Sequence, residues 1–178
     1  GLWQVASLLR SASGISKVGL STQSILWSDP AVYAAHSESG GNAIMYALTE
    51  YALQLVKGRE YSNPVDLQNQ ILEEVYAYGK KITGNAGLRE TFVLNALVSL
   101  DNAAWMLYAA ENRIGTFDDM IPEQYRKALS YRHSKIASIP LISYGSTAKE
   151  IKEVADSGYY FLKIKLGQPG TQQEMLAK

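Results

Sequence analysis

Tyr159-Tyr160-Phe161-Leu162-Lys163-Ile164-Lys165-Leu166-Gly167 is the stretch that decides how the rest of this chain is read. It is aromatic and aliphatic enough for a strand, with two lysines two residues apart near its end. Side chains alternate across a strand, so Lys163 and Lys165 share one face and Leu162, Ile164 and Leu166 share the other. Two ammonium groups then point at one small volume. Each disfavours protonation of the other, one route by which a lysine becomes able to take a proton near neutrality. The same pattern also describes a half-buried strand with a solvated basic face, since most surface lysines serve solubility alone.

Upstream, Ile139-Pro140-Leu141-Ile142-Ser143 has the character of a short apolar strand. Between the two strands, Ala148, Ile151, Val154 and Ala155 fall on one face of a helix. Thr147 with Glu150 forms a capping box at its start, and Gly158 supplies a left-handed stop at its end. A crossover of this length joins parallel strands. The pattern then restarts: Gly167-Gln168-Pro169-Gly170 reads as a turn, and Thr171 with Glu174 as a second capping box. Two parallel strands and one helix do not cover both sheet faces. The expectation is therefore the front part of a larger βα protein, and the first residue, Gly1, fits a start that is trimmed as well.

Composition bounds the rest. A chain of 178 residues with 47% hydrophobic content can bury a real core as one or two domains. Seventeen basic and seventeen acidic residues cancel, which gives no electrostatic footprint for nucleic acid or an anionic membrane. Cysteine is absent, which removes disulfides, thiol catalysis and cysteine metal sites together. Leu2 to Arg10 lacks the basic start of a signal peptide, and no apolar run approaches membrane-spanning character, so a cytoplasmic protein is expected.

The earlier residues are of another kind. Residues 1 to about 35 read as extended and irregular, with strands at Trp3 to Leu9 and Ile15 to Leu20 and a loop around Trp27-Ser28-Asp29-Pro30. Ile44, Leu48, Tyr51, Ala52 and Leu55 make one helical stripe closed by Gly58. Leu67, Ile71, Val75, Tyr78 and Ile82 make another, opened by Asn63-Pro64 and closed by Gly84. A third helix, from about Leu88 to Asn112, is apolar nearly all round and should lie between layers. A short helix near Glu123 to Ser130 follows. The expected organisation is a first domain over 1–135 and a second over 136–178.

Ser99-Leu100-Asp101-Asn102-Ala103-Ala104-Trp105 resembles the long helix of the enolase superfamily, in which an Asp, an Ala and a Trp recur in a similar frame. Ile139 to Ser143, the helix, Gly158 and Lys163-Ile164-Lys165-Leu166-Gly167 look like the first two βα units of that superfamily's barrel. The Lys-x-Lys pair resembles the mandelate racemase and muconate lactonizing branches rather than enolase itself. The resemblance spans roughly residues 40 to 178 and is most specific over the final thirty or so.

The resemblance implies an α+β capping domain followed by the first βα units of a TIM-type (β/α) barrel, with the active site at the C-terminal ends of the strands. It also implies metal-assisted abstraction of the proton beside a substrate carboxylate, as in racemases, epimerases, dehydratases and cycloisomerases, with magnesium stabilising the enediolate. Lys165 corresponds to the acid/base residue and Lys163 to its supporting lysine. The metal ligands and the partner base belong to strands after the second, so none is assigned here. These residues alone are expected to be inert. The implied partner is a small carboxylate-bearing substrate, with homo-oligomerisation left open.

Other polar groups rank lower. Tyr144, with Ser143, ends the first barrel strand and could line a pocket there. His36 reads as a solvated loop histidine, His133 as a surface one, and Asp118 and Asp119 as caps for the following helix rather than metal ligands. The turn Gly167-Gln168-Pro169-Gly170 lacks phosphate-loop spacing. The competing reading is a non-catalytic helical α/β domain for binding or assembly, its lysines a solvated stripe.

Overall fold

The computed structural model describes residues 1–166 and 172–177. The chain divides into two compact units, 1–129 and 130–178.

The first unit opens with a hairpin. β1 (Trp3–Arg10) and β2 (Ser16–Gln23) pair antiparallel, with Trp3 opposite Gln23 and Arg10 opposite Ser16. Both strands reach further than the hydrophobic pattern indicated. The alternation is inverted relative to an ordinary half-buried hairpin: Val5, Ser7, Gly19, Ser21 and Gln23 are buried, while Ala6, Leu8, Val18 and Leu20 are exposed. The inner residues are small or polar because the hairpin lies close on helix α4 (Glu90–Glu111). A Cβ on Gly19 would stand 2.1 Å from the Ser99 carbonyl oxygen and 2.2 Å from the Ala103 nitrogen, so only glycine admits this approach. Ser7 Oγ meets Ser99 Oγ at 2.7 Å, and Gln23 Nε2 donates to Thr49 Oγ1 at 2.8 Å. Asn95 and Asn102 of α4 donate to the carbonyls of Thr22 and Leu20 at 3.0 and 2.8 Å, satisfying backbone groups along β2.

Four helices form the core with that hairpin. α1 (Ile25–Ser28) leads into α2 (Pro30–Leu55), and α3 (Pro64–Thr83) precedes α4. Met45, Leu48 and Ala52 of α2, Leu67, Ile71 and Val75 of α3, and Phe92, Leu97 and Leu100 of α4 belong to one buried cluster. The near-uniform apolarity of α4 is explained by its position between the hairpin and α2 and α3. By length and composition α4 could also cross a bilayer; half of that window is buried inside the fold.

Residues 25–36 correct the expectation of an irregular segment. Asp29 caps α2, its Oδ1 accepting from the Ala31 and Val32 amides, with Pro30 at the first helical position. Its Oδ2 accepts from the Arg89 amide at 2.9 Å, which ties the start of α2 to the start of α4. The Ser- and Gly-rich composition concealed a helix that breaks once. At Ser37 the backbone takes φ 63° and ψ 175°, and Ser37 Oγ accepts from the Gly40 amide at 3.4 Å, so the serine caps the second half of α2. Beyond α4, α5 (Phe117–Met120) and α6 (Glu123–Arg126) are single turns.

In the second unit, β3 (Leu141–Ile142) and β4 (Lys163–Ile164) flank α7 (Ala148–Asp156). The strands are parallel, as the crossover spacing requires, with Leu141 opposite Lys163 and Ile142 opposite Ile164. The Thr147–Glu150 capping box is present in both directions. Gly158, at φ 87°, makes the left-handed exit that the sequence called for. A last helix, α8, covers Gln172–Ala177. The turn Gly167 to Gly170 and the capping box of Thr171 lie outside the described residues.

Candidate active site

Lys163 lies in β4 and Lys165 just beyond it, its amide donating to the Ile142 carbonyl at 3.1 Å. That bond continues the parallel ladder past the last strand residue and carries Lys165 to the C-terminal end of the sheet. Registered partners project to the same side. Leu141, Lys163 and Lys165 therefore share one face, while Ile142 and Ile164 share the other. Ile142 is only 3% exposed while Ile164 beside it is 45% exposed, so that face is covered at β3 and open at β4. Both lysines are exposed.

Tyr144 lies just past Ser143, the residue that follows β3, and is half-buried at the same end of the sheet as Lys165. The chain turns there tightly: the Ser143 amide donates to Ser146 Oγ at 3.2 Å, and the Ser146 amide returns to the Ser143 carbonyl at 3.1 Å. Glu150 accepts from the Thr147 amide at 2.7 Å and from its hydroxyl, and these bonds hold its carboxyl below the usual carboxylate range. Tyr144 and Lys165 thus lie at one end of a parallel pair, while Lys163 starts β4, on the same face as Lys165.

One concavity of this unit lies away from the lysines. A cavity of ≈360 Å³ is lined by Ala137, Ser138, Gly158, Tyr159, Tyr160 and Phe161, on the segments that lead into the strands, and neither lysine contributes to it. Among the described residues no three His, Cys, Asp or Glu side chains stand close enough to hold a metal ion. The described residues do not by themselves fit a magnesium site.

The lower-ranked groups have structural surroundings. His36 is half-buried within helical residues rather than in a loop, its Nε2 3.2 Å from the Thr83 carbonyl oxygen. The ring of His133 meets that of Tyr131 edge-on at 4.6 Å. Asp119 belongs to the start of its own helix: Thr116 Oγ1 donates to its carboxylate at 2.6 Å and accepts from its amide at 3.2 Å. Asp118 lies in the same first turn. Both aspartates therefore start α5 rather than capping the helix after it. Asp101 is desolvated within the fold, which pushes its carboxyl up, and a hydrogen bond from Trp105 partly opposes this.

One feature of the first unit had no signal in the sequence. A cavity of ≈910 Å³ opens at the turn end of the hairpin, between β1, the α2–α3 connection and the last turn of α4. Its charged residues, Arg10, Lys57, Arg59, Glu60 and Glu111, are scattered along the chain and only the fold assembles them. Comparison with protein-family models, with curated proteins and with solved structures gives no match.

Proposed function

We propose that the chain contributes a capping unit and the opening βα unit of an enzyme resembling the enolase superfamily. In this reading Lys165 is the base that abstracts the proton α to a substrate carboxylate, and Lys163 is its supporting cation. The observation that carries it is the parallel β3–α7–β4 unit with Lys165 hydrogen-bonded just beyond the last strand residue. Active sites of such units lie at that end. Negative charge accumulates on the substrate carboxylate as the carbon acid loses its proton, so a cation already held at that point lowers the barrier. Tyr144 supplies a hydroxyl at the same end of the sheet. The resemblance would also call for magnesium as a Lewis acid, whose ligands are not assigned to these residues.

The exposure of both lysines favours the alternative, a non-catalytic α/β domain with a solvated basic stripe. The neighbouring apolar residues weigh against it. Leu141 is 49% exposed, Ile164 45% and Tyr160 96%. A sheet built to dissolve would not leave its aliphatic and aromatic residues as open as its lysines.

The test is made on protein carrying the remaining barrel strands, incubated in D₂O with Mg²⁺ and a panel of 2-hydroxycarboxylates. Wild type is expected to lose the substrate α-proton signal in the NMR spectrum. Lys165→Ala should slow that exchange by roughly 10²–10⁴-fold, the range of a general base, with Mg²⁺ affinity nearly unchanged. Undiminished exchange in the variant removes Lys165 from this role.

A further inference from the structure

We propose that the ≈910 Å³ cavity of the first unit binds a small amphipathic organic anion, an apolar body with a single carboxylate head. Its volume lies in the range of small-molecule sites. Leu53, Val56, Leu67 and Leu107, from α2, the residue after it, α3 and α4, line the apolar part, and Leu67 and Leu107 are buried. The ends of separate elements enclose it, so the concavity is formed by the packing of the core.

The rim carries the selectivity. Arg10 comes from β1, and Lys57 and Arg59 from the connection between α2 and α3. All three are exposed, and among the described residues none stands in an ion pair with a carboxylate. Arg59 Nε donates to the Leu55 carbonyl at 2.7 Å, which steadies the guanidinium and leaves its terminal N–H groups for a ligand. Two carboxylates share the rim. Glu111, engaged by the Ser13 hydroxyl at 2.6 Å and by Ser11, keeps its negative charge, so Glu60 and Glu111 together stand against three cations and leave a surplus of one. One anionic head balances that surplus; a polyanion would meet Glu60 and Glu111 over an apolar floor. Arginine presents paired N–H groups that match a carboxylate. The inference is independent of Lys163 and Lys165, which belong to the other unit.

Calorimetric titration of the full chain with decanoate tests it, with decanol as the uncharged analogue. Decanoate is expected to bind one saturable site, at least about tenfold more tightly than decanol. The double variant Arg10→Gln, Arg59→Gln should weaken decanoate at least about tenfold and leave decanol unaffected, the folded state being checked by far-UV circular dichroism. Absence of saturation below the concentration at which decanoate self-associates would overturn the proposal. So would equal affinity for decanol, or undiminished binding in the folded double variant. If the variant does not fold, the two ligands on the wild-type chain decide the matter.

Discussion

Ser37 holds a backbone conformation, φ 63° and ψ 175°, that is open to glycine and costs other residues about 1–3 kcal/mol. The fold accepts it because the break lets Ser37 Oγ meet the Gly40 amide and re-aims α2 over the core. Ser37→Gly should therefore stabilise the first unit by about 1 kcal/mol, because glycine relieves the backbone while a glycine cap loses only a few tenths. The denaturant midpoint is the measure, and a lower midpoint would show that the serine cap outweighs the strain. At this scale the sequence was legible where one rule acts alone. Alternation fixed the shared face of Lys163 and Lys165, and Gly158 announced a left-handed exit. It was silent where the deciding partner is far away in the chain: nothing near Gly19 signals Ser99, and nothing near Arg10 signals Arg59.

Elements end where their side chains close the orphan backbone groups, and in α3 and α7 a carboxylate of the first turn reaches back to the residues before the helix. Asp66 of α3 accepts from the Ser62 amide at 2.9 Å and from its hydroxyl, and Glu150 of α7 accepts likewise from Thr147. Both carboxyls are held below their ordinary range by these hydrogen bonds, the backbone bond contributing most. The folded-state pKa is then lower than the unfolded one. The stabilisation is complete above the ordinary carboxylate range and is lost as pH falls through the depressed values. Amide exchange in the first turns of α3 and α7 should accelerate on acidification through that window. Asp66→Asn and Glu150→Gln should each flatten the response of their own helix; a response that persists in both would assign it to other carboxylates. Both N-termini were readable in the sequence because capping is local. The start of α2 was not, although Asp29-Pro30 is a strong signal, because serine, glycine and alanine dominate the segment after it. The strands were placed, but their facing was obscured, since the buried face of the hairpin is the more polar one.

Across the whole molecule the apolar burial is unequal. The first unit encloses a continuous cluster drawn from α1, α2, α3, α4 and the segments joining them, whereas in the second Ile142 is the buried hydrophobic residue among those described. Stability follows burial, so hydrogen exchange should separate the two. Amides in the middle of α2 and α4 should be the slowest to exchange. Those of Lys163 and Lys165, bonded to Pro140 and Ile142 at 2.9 and 3.1 Å, should be among the first to go. Equal protection in both units would contradict that ranking. The strand–helix–strand order and the parallel pairing could be read in advance because they depend on length and period; the depth of the core could not, since it depends on which faces meet. Where Gly19 passes α4, the two backbones lie against each other with nothing between them to yield. Shifting the strand by two residues would bring Lys17 or Ser21 into a gap that lacks room even for a methyl group, and shifting it by one would turn the strand over. The joint therefore works as a keyway: hairpin and helix engage in one position, and any breathing of the first unit must carry them together as a single rigid piece.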